Sequence, residues 1–214
     1  MSSPRPDPEA VLLHWRAVGA EVDATALAAD ELRHVAAMAP GPARQAQTAS
    51  YALRREVLAA ELGCAAGAVA LQRACAVCGG VDHGKPWVAG GPSFSVSRAR
   101  ATVVMGLLHG ADVGVDVEVP RTDAVWRTLE DRLRHPDDDR LPPLAVWTAK
   151  EAVLKLAGCG LTRPMADVAL RADGTWTVAA LRRNGSVTWT ALPDGAVCAV
   201  ATDTRRAIVV RPPT

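Results

Sequence analysis

Gly114-Val115-Asp116-Val117-Glu118 and, further along the chain, Trp147-Thr148-Ala149-Lys150-Glu151-Ala152-Val153-Leu154-Lys155 are the two stretches on which the reading of this sequence turns. Alternate side chains of a strand share a face, so Asp116 and Glu118 project together while Val115 and Val117 turn to the core. Two carboxylates aimed at one volume repel each other unless a cation, a lysine or a shared proton compensates them. A hard, oxygen-seeking ion such as magnesium meets that need. Taken alone, the same pattern describes an edge strand showing two acids to water. On a helix, Glu151 and Lys155 stand one turn apart on one face, and Trp147 lies one turn before Glu151. Taken alone, that describes a surface ion pair worth about 0.2–0.5 kcal/mol beside a Trp at the core edge. It is the presence of both stretches in one chain that shifts the reading from surface decoration to a site.

Outward from these stretches the sequence reads as α+β. Ala10 to Val18 suits a first strand, and Thr25 to Met38 and Ala43 to Leu62 read as helices separated by Pro40, Gly41 and Pro42. Gly63 is placed to cap the second helix. Short strands are expected near Val69 to Arg73, Phe94 to Ser97 and Ala101 to Leu108, with a glycine-rich connection leading to Gly84-Lys85-Pro86. After Gly110 the pattern begins again: strand Val113 to Glu118, helix Thr122 to Arg134, helix Leu144 to Ala157, then four β-rich runs divided by Asp173-Gly174, Asn184-Gly185 and Asp194-Gly195. The economical division is an N-terminal α+β unit over 1–110 and a C-terminal one over 111–214.

Composition narrows the function. Nearly half the residues are hydrophobic and 22% are charged, the balance of a globular chain, and six Trp against one Tyr and one Phe leave a core of mostly small aliphatic side chains. A net charge of +1 offers no basic field for nucleic acid. No run of eighteen apolar residues and no apolar leader after Met1 is seen, so a cytoplasmic protein without a membrane span is expected. Five cysteines fit reduced thiols. Cys75-Ala76-Val77-Cys78-Gly79-Gly80-Val81-Asp82-His83 has the look of a zinc knuckle, with Cys64 and His83 the neighbours available to complete it. Lacking a second close Cys pair, the stretch is expected to hold turn or buried thiols.

With both stretches in view, the sequence resembles the 4'-phosphopantetheinyl transferase family, in its two-lobed, broad-specificity type that activates peptide and polyketide synthases. The hallmark Gly-x-Asp-x-Glu strand and Trp-x-x-Lys-Glu-x-x-x-Lys helix stand at Gly114 to Glu118 and Trp147 to Lys155. Gly84-Lys85-Pro86, Phe94-Ser95-Val96-Ser97 and Gly158-Cys159-Gly160-Leu161 look like further family motifs in order. The resemblance implies a pseudo-twofold monomer of two similar lobes, each an antiparallel sheet packed with helices, with coenzyme A in the cleft between them. It implies transfer of 4'-phosphopantetheine to a serine of an apo acyl or peptidyl carrier protein, with magnesium held by Asp116, Glu118 and Glu151. It further implies Glu151 as general base, Lys155 at the pyrophosphate, and Lys85, Pro86 and Ser97 at the nucleotide end of coenzyme A.

Two positions depart from the family pattern. Where a phosphate-contacting histidine usually follows the motif serine, this chain has Arg98, which stays charged and can fork two phosphate oxygens. Upstream, the family's several basic residues thin out to Arg44 and Arg54 as candidates for the 3'-phosphate, beside a mixed Asp30-Glu31-Leu32-Arg33-His34 segment. Arg127, Arg132 and Arg134 are candidates for meeting an acidic carrier helix. Two other functions compete. A magnesium nuclease lacks here both a lysine directly after the second acid and a basic field, and a non-catalytic binder of coenzyme A or carrier protein has no evident need for three acids beside Lys155.

Overall fold

The structure is a computed structural model, and it describes residues 9–75, 77–120 and 128–211. Along the chain run β1 (Val11–Ala17), α1 (Ala29–Ala37), α2 (Pro42–Leu62), β2 (Gln72–Ala74), β3 (Lys85–Trp87), β4 (Ser93–Ala99), β5 (Thr102–Leu108) and β6 (Val113–Glu118). Then follow α3 (Glu130–Leu133), α4 (Pro143–Leu156), β7 (Ala169–Leu170), β8 (Thr175–Val178), β9 (Arg183–Ala191), β10 (Val197–Thr202) and β11 (Ile208–Val210). The fold is mixed α+β. One sheet has the order β11-β1-β5-β4, a second β6-β10-β9-β8-β7, and β2 pairs with β3 alone. Among the described residues every pairing is antiparallel except that of β1 with β11. No helix among the described residues is long and apolar enough to cross a membrane.

Why β5 sits centrally follows from its sequence. Thr102-Val103-Val104-Met105-Gly106-Leu107-Leu108 has no polar alternation, and all seven residues are buried, as a strand covered on both faces requires. Val103, Met105 and Leu107 pack with Leu53, Val57 and Leu58 of α2. From the opposite face, Val104 and Leu108 join Val115 and Val117 of β6 and Cys198 and Val200 of β10 in a cluster shared by the two sheets. A third cluster lies beyond β6 and β10, where Ala152, Val153 and Leu156 of α4 meet Trp176, Ala199 and Ala201. Each fully buried Leu or Val of these layers is worth about 1.5–3 kcal/mol relative to exposure.

The long helices begin and end where local chemistry dictates. Pro42 opens α2 at its first turn, where a missing N–H costs nothing, and Gly63 closes it at φ 65°. The expected helix from Thr25 is shorter, because Ala24–Ala26 form a 3-10 turn and α1 starts only at Ala29. Glu31 fixes that start, since its carboxylate accepts the Ala28 N–H at 3.0 Å and also pairs with Arg54 and Arg55 of α2.

Two expectations fail in the C-terminal half. Asn184-Gly185 is not a turn but lies inside β9, and the connection from β8 runs through the 3-10 turn Ala179–Leu181 with Arg182 at φ 52°. Gly185 is needed there for close approach: a Cβ would collide with the Thr202 carbonyl and the Trp176 ring. The last strand, β11, was not foreseen, and it returns to pair with β1 in the first sheet. Of the expected helix Thr122 to Arg134, residues 121–127 lie outside those described, and α3 spans only Glu130–Leu133.

Candidate functional site

The two sheets meet along β4 and β6 through serine side chains instead of a backbone ladder. Ser93, Ser95 and Ser97 alternate along β4, so their hydroxyls share one face. Ser93 Oγ accepts the Val113 N–H at 3.3 Å and Ser95 Oγ accepts that of Val115 at 3.1 Å. Ser97, the last of the row, instead donates to Asp116 Oδ1 at 2.6 Å. This alternation converts a register between strands into the placement of one buried carboxylate.

The helix α4 lies directly over the same face of β6. A Cβ on Gly114 would strike the Ala152 carbonyl and the Leu156 amide, so glycine at this position is what lets the helix approach. The approach carries Lys155 to Asp116 Oδ1 at 2.6 Å and to Ser97 Oγ at 2.9 Å, while Glu151 Oε2 lies 3.2 Å from the same amine. Ser97, Asp116, Glu151 and Lys155 therefore form one cluster, drawn from β4, β6 and α4.

Burial raises the Asp116 carboxyl to about 6; Lys155 works against this and the Glu151 charge adds to it. For Lys155, burial alone would lower the amine, but Asp116 and then Glu151 outweigh it and hold the amine above its ordinary value. Asp116 Oδ2 is buried with no hydrogen-bond partner among the described residues, an acceptor left free beside a second acid. Such an oxygen suits a hard divalent cation, so on the side of Asp116 the site fits magnesium. The three acids do not converge to ligating distance. Among the described residues, the one group of three or more His, Cys, Asp or Glu whose ligand atoms all lie within 4.8 Å is Cys75, Cys78 and His83. Lys155 stands between Asp116 and Glu151, and Glu118 lies half-buried further along β6, with its Oε2 accepting the Val119 N–H at 3.3 Å.

Beside the cluster opens a cavity of about 570 Å³, whose walls include Lys85, Pro86, Ser97, Arg98 and Lys155. Lys85 is tethered by Asp112 Oδ1 at 2.7 Å and by the Leu156 carbonyl at 3.3 Å, which fixes its amine at the C-terminal end of α4. Arg98, exposed and opposite in direction to Ser97, reaches the same cavity. Gly158 and Gly160, at φ 74° and 51°, shape the turn after α4 that closes the wall.

The upstream arginines sort differently from expectation. Arg54 lines this cavity, packed over the Tyr51 ring at 5.1 Å, with its Nε buried and unpartnered among the described residues. Arg44 lies in a separate hollow with Pro40, Gly41 and Thr48, because ten residues of helix carry it about 15 Å along the axis from Arg54. Sequence reasoning missed Arg73, which β2 brings to the cavity wall. No local signal marks it, since its neighbour Lys85 is set by the β2–β3 pairing. It also missed Lys150, whose position one residue before Glu151 places it on the helix face of the buried Val146 and Val153 and away from the site. A lysine on an apolar stripe is itself the signal for a buried partner, here Asp138 at 2.6 Å. Of the arginines considered for carrier contact, Arg127 lies outside the described residues, Arg132 is exposed on α3, and Arg134 pairs with Glu130 at 2.9 Å.

Comparison with known proteins finds no match among curated proteins. Residues 112–201, which run from the aspartate that tethers Lys85 through β6 and α4 into β10, match the model of the 4'-phosphopantetheinyl transferase superfamily (ACPS), so the acidic strand, the helix of Glu151 and Lys155 and most of the second sheet form a domain similar to that superfamily.

Proposed function

We propose that the chain is a magnesium-dependent transferase that moves the 4'-phosphopantetheine arm of coenzyme A onto a serine of an apo acyl or peptidyl carrier protein and releases 3',5'-ADP. The observation that carries this reading is the cluster of Asp116, Glu151, Lys155 and Ser97 opening beside a cavity with Lys85, Arg54, Arg73 and Arg98 in its walls. The superfamily match over residues 112–201 supports phosphopantetheine transfer in general. The cavity volume falls in the range of roughly 300–1,000 Å³ usual for small-molecule sites, and its cations suit a ligand that carries a pyrophosphate and a further phosphate.

In this reading the lobes are 1–110 and 111–214, with β11 crossing back to the first sheet, and the protein acts as a cytoplasmic monomer. Asp116, Glu118 and Glu151 would hold magnesium, which when bound neutralises charge developing on phosphate oxygens. Lys85, Pro86 and Ser97 border the nucleotide end of coenzyme A, Arg98, Arg54 and Arg73 grip its phosphates, and Lys155 faces the pyrophosphate. The serine oxygen of the carrier forms a bond to the phosphorus bearing pantetheine. The bond from that phosphorus to the 3',5'-ADP oxygen breaks with its electron pair, and the serine proton passes to Glu151, directly or through a water.

The reading is tested by incubating the protein with coenzyme A, magnesium and an apo carrier protein and recording the intact mass of the carrier. A gain of one phosphopantetheine is expected. Binding of coenzyme A without any gain, in a carrier that another transferase can load, would instead mark a non-catalytic binder.

Two substitutions probe the roles. Lys155→Met keeps length and removes charge, and it should lower turnover by about one to three orders of magnitude, as loss of a preorganised electrostatic donor does. A surface lysine paired only with Glu151 would cost about 0.2–0.5 kcal/mol of stability and leave turnover unchanged. Arg98→Ala should raise the KM for coenzyme A about tenfold or more, since a charge-assisted phosphate contact is worth roughly 1.5–3 kcal/mol. Arg98→His should keep substantial activity near neutral pH, and an unchanged KM in the alanine variant would show that the side chain does not meet the phosphates.

A further inference from the structure

The loop joining β2 to β3 gathers a second group of ligating atoms, apart from the carboxylate cluster and unused by the proposed transfer. Cys75, Cys78 and His83 each bring a ligand atom within 4.8 Å of the others. The Cys78 Sγ to His83 Nε2 separation is 3.2 Å. A tetrahedral zinc ion with Zn–S of about 2.3 Å and Zn–N of about 2.0–2.1 Å sets sulfur and nitrogen about 3.6 Å apart, so a shift of a few tenths of an ångström would admit the ion.

The surroundings prepare these atoms for a metal. His83 Nδ1 meets Asp82 Oδ1 at 2.6 Å, which places the ring proton on Nδ1 and leaves the Nε2 lone pair facing the sulfur. A carboxylate behind a ligating histidine is the usual outer support of a zinc site. The turn is closed by Cys75 N–H to the Gly80 carbonyl and Gly79 N–H to the Cys75 carbonyl, both at 2.9 Å. The other use of a Cys-x-x-Cys pair, disulfide exchange, relies on a helix N-terminus to stabilise the thiolate, and here the pair lies in a strand-to-strand loop.

We propose that Cys75 Sγ, Cys78 Sγ and His83 Nε2 bind one zinc ion, with the fourth position left to solvent. Cys64, the fourth ligand that sequence proximity offers, does not join the group. The ion clamps the loop whose ends carry Arg73 and Lys85, the Arg73 guanidinium already donating to the Gly84 carbonyl at 3.3 Å. Both Cys75 and His83 stand in the wall of the cavity proposed for coenzyme A, so the metal stiffens one side of that wall. The site goes beyond the transfer reaction and is measured without coenzyme A or carrier protein, so it stands or falls separately from the proposed activity.

The full chain, purified under reducing conditions and with zinc supplied during expression, should contain one equivalent of zinc after gel filtration. The Cys75→Ser/Cys78→Ser variant should lose it, whereas Cys64→Ser should keep it. Cobalt added to the chelator-treated protein should produce a thiolate-to-metal charge-transfer band in the near ultraviolet, which a carboxylate site cannot give, and zinc should abolish that band. Absence of the band in a folded protein with titratable thiols would overturn the proposal. So would a full equivalent of zinc in the double serine variant, or a Cys75–Cys78 disulfide that forms equally fast with and without zinc.

Discussion

Asp116→Ala is expected to lower the rate of phosphopantetheine transfer by about a thousandfold or more while leaving the protein folded. The carboxylate accepts from both Ser97 and Lys155, and its second oxygen is buried with no hydrogen-bond partner among the described residues. Under the proposed metal role, losing this ligand removes several kcal/mol of charge stabilisation, and at about 1.4 kcal/mol per tenfold change, some 4 kcal/mol amounts to three orders of magnitude. The fold should survive, because Lys155 is 26% exposed along its side chain and keeps Glu151 at 3.2 Å, so no charge is stranded in the interior. Turnover at saturating coenzyme A and magnesium, with the melting temperature as control, decides the matter. A folded variant with an unchanged rate would remove Asp116 from the chemistry.

Lys150→Met is expected to have the opposite signature, a loss of about 3–5 kcal/mol in stability with no direct part in the reaction. The Lys150 side chain is fully buried, and its amine donates at 2.6 Å both to Asp138 Oδ2 and to the Leu133 carbonyl. Asp138 is 2% exposed along its side chain and also accepts the His135 N–H at 2.9 Å and the Leu170 N–H at 2.8 Å. One ion pair thus fastens the loop after α3 to α4 and to β7. Burial lowers the Lys150 amine and Asp138 pulls it back up, so removing the lysine leaves a buried carboxylate without its counter-charge. Urea denaturation should show the loss, and Lys150→Met combined with Asp138→Asn should recover part of it, because the neutral amide keeps an acceptor for a backbone N–H without a buried charge. A loss below about 1 kcal/mol in the single variant would place the pair at the surface in energetic terms.

These two lysines, five residues apart on α4, show how far periodicity reaches. Helical spacing alone places Glu151 and Lys155 on one face and turns Lys150 to another. It does not say that β6 would lie beneath the first face or the Asp138 loop beneath the second, because what a face meets is decided by elements distant in the chain. The same holds for the upstream arginines. Arg44 and Arg54 look alike as helical cations, yet Arg54 borders the cavity and Arg44 a separate hollow, and Arg73 reaches the cavity from a strand with no motif of its own.

The sequence by itself determined the α+β character, the extents of α2, α4 and β6, and the sharing of one strand face by Asp116 and Glu118, since these follow from side-chain period, proline and glycine at helix ends, and strand alternation. It also carried the superfamily signal, whose model match covers residues 112–201. Only the tertiary structure decided that Asn184-Gly185 is a strand segment, because its glycine answers to the Thr202 carbonyl and the Trp176 ring and not to a turn. Only the tertiary structure returned β11 to the first sheet, bridged β4 to β6 through serine hydroxyls, and placed Lys155 between Asp116 and Glu151. The physical reason is common to all of these: backbone preference and period act between near neighbours, whereas close approach, hydrogen-bond satisfaction and charge compensation are settled between residues that meet only once the chain has folded.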